Sequence, residues 1–204
     1  MIKRDPYLNE YGVLKNLLGI IDDVELEQAE SDITAMTMAS HREIIPEKVT
    51  YEHLLAIHKH IFNDIYEWAG QIRTIPLTKG EKVLGGDTVL YSQPDDIEKN
   101  ARAAIDEMNS IDWPALSNRE KAEHMANLIA RVWQAHPFRE GNTRTVVTFM
   151  VHFAEANNFP MDITLFRENP KFTRNALVVA SDGDYAEYKH LIKIIENSIN
   201  ERRA

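Results

Sequence analysis

His136-Pro137-Phe138-Arg139-Glu140-Gly141-Asn142-Thr143-Arg144 decides how this chain is read. The stretch combines an imidazole, an aromatic anchor, a carboxylate, a Gly-Asn turn and a guanidinium. Upstream, Met125, Leu128, Ile129, Val132 and Trp133 recur at helical spacing, and Ser117 with Glu120 makes the S-x-x-E pattern of a capped helix start. Downstream, residues 143–157 are largely apolar, which predicts a buried helix. The stretch is therefore a loop between two helices that feeds the N-terminus of the second. Such an end presents unpaired N–H groups and the positive pole of the helix dipole, which together attract phosphate. A histidine before the turn and a carboxylate inside it add a base and a metal ligand. These residues imply a site for a nucleotide–metal complex, next to a group able to deprotonate an incoming nucleophile.

Working outward, residues 24–39 carry Leu26, Ala29, Ile33 and Met36 at helical spacing, and residues 50–68 repeat the signal with Leu54, Leu55, Ile57, Ile61, Phe62 and Ile65. Gln93-Pro94-Asp95-Asp96 opens another helix, with proline and acids in its first turn. Two more fit residues 170–181 and 184–202. Residues 71–91 break the pattern. Ile72 to Thr78 alternates, Val83-Leu84 and Thr88 to Tyr91 are β-prone, and Gly80, Gly85 and Gly86 punctuate them. This is either a short β-hairpin flap or a surface loop, and Pro76 restricts any strand to an edge. An exposed edge accepts an extended peptide by strand addition. The expected fold is mainly α, a helical bundle with a short hairpin flap beside the loop, in one domain over residues 1–204.

Composition narrows the function. The 204 residues suffice for a sizeable core, and 44% hydrophobic with 27% charged residues suit a soluble globular protein. A net charge of −9 argues against direct binding to nucleic acid or to an anionic membrane. With no cysteine, disulfides and thiolate zinc sites are excluded. The N-terminus leads into no apolar signal region and no run approaches membrane-spanning length, so a cytoplasmic location is expected.

Each site residue has a chemical reason to be there. His136 titrates near neutrality and is the expected general base for a Tyr, Ser or Thr hydroxyl. Phe138, between two polar positions, is the apolar anchor that pins the loop. Glu140 is the expected Mg²⁺ ligand, since magnesium takes one or two carboxylates plus phosphate oxygens. Gly141, Asn142 and Thr143 supply backbone donors for phosphate, Asn142 adding its side-chain amide, and Arg144 clamps phosphate oxygens bidentately. His53, His58 and His60 lack ligand spacing and a third partner, so they read as helix-surface or core residues, and His152 as a packed one.

The loop resembles the Fic family pattern H-x-F-x-(D/E)-G-N-G-R-x-x-R. Six of its eight fixed positions are met, by His136, Phe138, Glu140, Gly141, Asn142 and Arg144, while Thr143 replaces a glycine and Val147 the last arginine. Arg4-Asp5-Pro6-Tyr7-Leu8 and Tyr66-Glu67-Trp68-Ala69-Gly70-Gln71-Ile72-Arg73 also resemble stretches of single-domain bacterial Fic proteins, so the likeness covers about residues 4–195. The resemblance implies AMP transfer from Mg²⁺-ATP to a protein hydroxyl, with the flap, represented by Arg73, Thr74, Ile75, Leu77, Thr88 and Val89, docking the target. It further implies a toxin of a toxin–antitoxin pair acting on the type II topoisomerases, DNA gyrase and topoisomerase IV.

Family members are held off by a helix bearing (S/T)-x-x-x-E-(G/N). No match precedes the loop. Thr164 to Asn169 matches formally but reads as a loop before Pro170, and Glu196-Asn197 lacks the Ser/Thr, Ile192 standing in its place. An inhibitor supplied in trans by a small antitoxin-like protein is therefore expected. Thr143 and Val147 keep alternatives open: transfer of another nucleotide or of a phosphoryl group, or a non-catalytic module that docks a partner.

Overall fold

Helix α4 (Asn118–Ala135) begins where its sequence signals. Ser117 Oγ accepts the Glu120 N–H at 3.3 Å, and the Glu120 carboxylate accepts the Ser117 N–H at 2.8 Å, a reciprocal cap for two otherwise orphaned donors. The helix ends at His136, whose backbone is left-handed with φ 47°. Helix α5 (Asn142–Ala156) starts after Gly141, also left-handed at φ 79°. Two left-handed residues thus bracket the loop and turn the chain sharply at both ends.

The computed structural model describes residues 5–40 and 44–199. Arg4 of the N-terminal segment and residues 200–202 of the expected last helix lie outside them. Around α4 and α5 pack α1 (Asp23–Ala39), α2 (Tyr51–Phe62), α3 (Ile97–Ser110), α6 (Ile163–Glu168), α7 (Pro170–Ala180) and α8 (Lys189–Ser198). α3, α7 and α8 lie against α4, α2 lies against α5, and α1 lies on α2. α4 buries Met125, Leu128, Ile129, Val132 and Trp133, and α5 is buried from Thr145 to Ala154. Among the described residues no helix is long and apolar enough to cross a membrane.

Three sequence expectations change. Helix α2 stops at Phe62, and the chain to Ala69 runs as turns. Residues 163–168, expected as loop, form the short helix α6 because Asp162 caps the Thr164 N–H at 2.9 Å. On α1 the inward face is Leu26, Glu30, Thr34 and Met38, while Met36 is 78% exposed. That face puts two polar residues where an apolar stripe was expected.

The excursion at 71–91 projects beside the loop, but its arms form no ladder. Among the described residues, strand pairing is confined to isolated bridges, Leu8 with Leu14 and Met161 with Ile199. The arms are joined by the Glu81 N–H to Asp87 O at 2.8 Å and the Lys79 N–H to Thr88 Oγ1 at 3.3 Å. It is a hairpin-like loop tip rather than a strand pair.

Candidate active site

The loop from His136 to Gly141 has no regular structure, yet its backbone is pinned from outside. Arg73 Nε donates to His136 O at 2.8 Å, and the Arg73 N–H to Pro137 O at 2.8 Å. Asn142 closes a reciprocal pair with Phe138: its Oδ1 accepts the Phe138 N–H at 2.9 Å and its Nδ2 donates to Phe138 O at 2.8 Å. His58 Nε2 donates to Glu140 O at 3.1 Å. The His58 tautomer is settled by the other nitrogen, which accepts the Gly70 N–H at 2.8 Å. Burial pushes the His58 pKa down to about 3, so it stays neutral. Its ring stacks on Phe138 with centroids 3.8 Å apart, and Phe138 is fully buried, as an anchor must be. Arg139 reaches Asp5 at 2.9 Å, tying the N-terminal segment to the same loop.

This bracing presents His136. Its Nδ1 lies 3.3 Å from Trp133 O, and a carbonyl can only accept, so Nδ1 carries the hydrogen and Nε2 keeps a lone pair. Nε2 is buried and has no hydrogen-bond partner among the described residues. Burial above all, then the positive charges of Lys79 and Arg73, hold the imidazole pKa well below its usual value. The Tyr91 ring lies over it with centroids 4.0 Å apart. His136 is thus a neutral base with its accepting nitrogen unspent, on the wall of a cavity of about 780 Å³.

Glu140 faces the same cavity. Its Oε1 accepts the Gly141 N–H at 2.9 Å and its Oε2 lies 3.5 Å from Lys79 Nζ on the flap. Burial raises its pKa, but Lys79, the Gly141 N–H, Arg144 and Arg139 outweigh it, so the carboxyl is held below the usual range and ionised. Among the described residues no cluster of three or more acidic or histidine side chains could hold a metal alone. A cation here needs oxygens from a bound phosphate beside Glu140, the pattern magnesium favours. The first i→i−4 bond of α5 is Thr145 N–H to Gly141 O at 3.1 Å, so the N–H groups of Asn142, Thr143 and Arg144 precede the ladder at the dipole's positive end.

The remaining positions are placed differently from their sequence roles. The Asn142 amide is spent on Phe138, so this residue offers phosphate its backbone only. Thr143 Oγ1 accepts the Trp133 indole N–H at 3.1 Å. Arg144 is paired with Glu30 of α1 and donates to Thr34 Oγ1 at 2.9 Å, its guanidinium 4.9 Å above the Phe62 ring. Tyr66 also donates to Glu30, at 2.5 Å. Val147 adds an apolar wall. On the flap, Arg73 and Val89 are each 1% exposed, which corrects their reading as docking residues: Arg73 also donates to Ile75 O and Ser92 O and is a brace. Thr74 is exposed, and Ile75, Leu77 and Thr88 are half-buried.

Glu30 and Lys79 carry no reading in the sequence, and His58 reads there as a helix-surface or core residue rather than as the brace of Glu140 O. A signal for Glu30 existed, since Glu30 and Thr34 are four apart between Leu26 and Met38 and share their face. His53 and His152, read as core or packed residues, are bonded to each other at 2.9 Å in the core.

Residues 48–154 match the Fic/DOC family. A probable protein adenylyltransferase of Sinorhizobium fredii, y4lH, is 32% identical over 179 residues, covering 85% of this chain and 86% of that protein. The protein adenylyltransferase VbhT of Bartonella schoenbuchensis is 34% identical over 160 residues, 78% of this chain; the matched part spans 32% of VbhT. Among solved structures, BepC of Bartonella tribocorum with bound AMPPNP aligns at a TM-score of 0.75 and 23% identity, covering 97% of each chain. The type IV secretion system effector BepA aligns at 0.77 and 25% identity, over 95% of this chain and 68% of its own. The family match spans the braced loop, α2, α4 and nearly all of α5. The chain belongs to the Fic/DOC family.

Proposed function

We propose that this chain is a protein adenylyltransferase that moves AMP from ATP to a Tyr, Ser or Thr hydroxyl of a target protein. The observation that carries the reading is His136: a neutral imidazole with an unspent Nε2, on the cavity that also receives the N-terminus of α5. The names of y4lH and VbhT and the AMPPNP held by BepC support the donor class. In the step, the target hydroxyl oxygen attacks the α-phosphorus while His136 Nε2 takes its proton. The bond from α-phosphorus to the bridging oxygen breaks, and pyrophosphate leaves with the electron pair. The Gly141 turn and the early N–H groups of α5 orient the phosphates, and Arg144 clamps them once released from Glu30. Glu140, with phosphate oxygens, would hold Mg²⁺, which supplies charge neutralisation.

Thr74, Ile75, Leu77 and Thr88 remain on the accessible side of the flap and are the docking residues we assign to the target. The resemblance points to a type II topoisomerase as target and to a small antitoxin-like inhibitor. A second reading has its own observation. Arg144 is held by Glu30, and Val147 is apolar, so the cavity offers phosphate fewer cations than the family pattern. That suits a nucleotide-binding module without transfer. Incubation with ATP labelled at either the α- or γ-phosphate separates them. Label from the α-position in a second protein supports AMP transfer, γ-label alone indicates a kinase, and ADP binding with neither label moving favours the module.

A further inference from the structure

Of the cations lining the cavity, Arg144, Arg174 and Lys79 are not equally available. Arg144 is engaged by Glu30 and Thr34. Arg174 of α7 spends both arms on Glu81, at 2.7 and 2.9 Å. Among the described residues the Lys79 ammonium has one loose contact, 3.5 Å to Glu140, with its side chain 30% exposed. An ammonium has three donors, so Lys79 keeps capacity for an anion.

Its position is built rather than incidental. The Lys79 N–H is bonded to Thr88 Oγ1, and two residues on, Glu81 is 2% exposed and locked by Arg174 and by the Tyr91 hydroxyl at 3.0 Å. The Tyr91 ring in turn lies on His136. The backbone at Lys79 is thereby fixed to the wall that holds the base, while its four-carbon stem can turn.

We propose that Lys79 is the flap's phosphate ligand: its ammonium leaves Glu140 when a nucleotide enters and pairs with the phosphate chain, freeing Glu140 Oε2. The inference rests on the nucleotide-transfer reading above and assigns that site a cation outside the loop. Lys79 contributes charge only. The proton still goes to His136, and the leaving oxygen departs with its electrons as already described.

The test is calorimetric titration of ADP, first in EDTA and then with Mg²⁺, into wild type, Lys79→Met, Lys79→Arg and Lys82→Met. Lys82, exposed on the same flap, controls for loss of one charge. Lys79→Met is expected to weaken ADP binding by roughly tenfold to a hundredfold in EDTA, the span of one charge-assisted hydrogen bond. Lys79→Arg should recover most of the affinity, and Lys82→Met should match wild type. Melting temperatures should stay together, because the Lys79 side chain makes one half-exposed contact. Wild-type affinity in Lys79→Met overturns the proposal and leaves the transfer reading standing. An equal loss in Lys82→Met also overturns it, since only general charge would then be at work. If wild type itself binds no ADP, the nucleotide reading fails and Lys79 with it.

Discussion

Replacing Gly141 by alanine puts the geometry of the loop under direct load. Gly141 has φ +79°, and a Cβ built there would lie 2.3 and 2.4 Å from two carbons of the Phe62 ring. Two costs add. A left-handed alanine costs about 1–2 kcal/mol. Forcing a methyl into a fully buried ring costs about 1–3 kcal/mol by overpacking. The sum is about 2–5 kcal/mol, which lowers the melting temperature by roughly 5–20 °C for a chain of this size. Gly85→Ala separates the terms: Gly85 has φ +68° and, among the described residues, nothing within 4 Å of its would-be Cβ, so it carries the strain alone. Urea melts of both variants, and of Gly141→Ala combined with Phe62→Leu, measure the clash directly. Trimming Phe62 should recover at least ~1 kcal/mol of the Gly141→Ala loss as a coupling energy. If Gly141→Ala is no worse than Gly85→Ala and shows no coupling to Phe62, the close packing of the turn on α2 is wrong.

Other outcomes follow from the same contacts. Burial pushes His53 and His58 down to about 4 and about 3, and His136 also well below its usual value. Between those values and the unfolded-state pKa near 6.5, the unfolded chain binds protons that the folded chain refuses. Stability should therefore be full above about pH 6.5 and fall as pH drops, at up to roughly 1.4 kcal/mol per pH unit for each histidine. Urea melts from pH 7.5 to 5 check this, and a flat profile contradicts it. Glu30→Gln should free Arg144, tightening ADP binding on the order of tenfold while costing about 1–3 kcal/mol of stability, because the buried Tyr66 hydroxyl loses a charged acceptor. Calorimetry and melts read the two effects separately. Asn142→Ala strips both side-chain bonds from Phe138 and should cost about 2–4 kcal/mol by denaturant unfolding, with transfer lost through the loop rather than through lost phosphate contacts.

The parts legible in the sequence are those written locally. The Ser117–Glu120 cap lies within one turn, the α4 stripe repeats over a few residues, and the Gly141 turn opens α5 where the pattern changes. The loop's chemical groups are also contiguous, so base, carboxylate and helix start could be named together. What holds them is not contiguous. Arg73 and His136 are separated by 63 residues, His58 and Glu140 by 82, Glu30 and Arg144 by 114. No periodicity reports such pairings. Arg73, in an alternating segment, read as part of the docking flap that the family resemblance implies, whereas three backbone carbonyls draw it inside. The β-prone residues of the flap likewise formed no ladder: Pro76 lacks a donor, the glycines turn the chain early, and the Arg73 and Glu81 braces fix the arms by side chains instead. Propensity yielded there to tertiary contacts.

One comparison decides whether the unspent Nε2 of His136 drives AMP transfer to a protein hydroxyl. Wild type and His136→Ala are incubated with Mg²⁺ and α-labelled ATP in a bacterial lysate, with folding of both checked by melting. Label is expected on a target band with wild type and is expected to be lost with the variant, which still binds ADP. Equal labelling by a folded His136→Ala protein would contradict that role for Nε2.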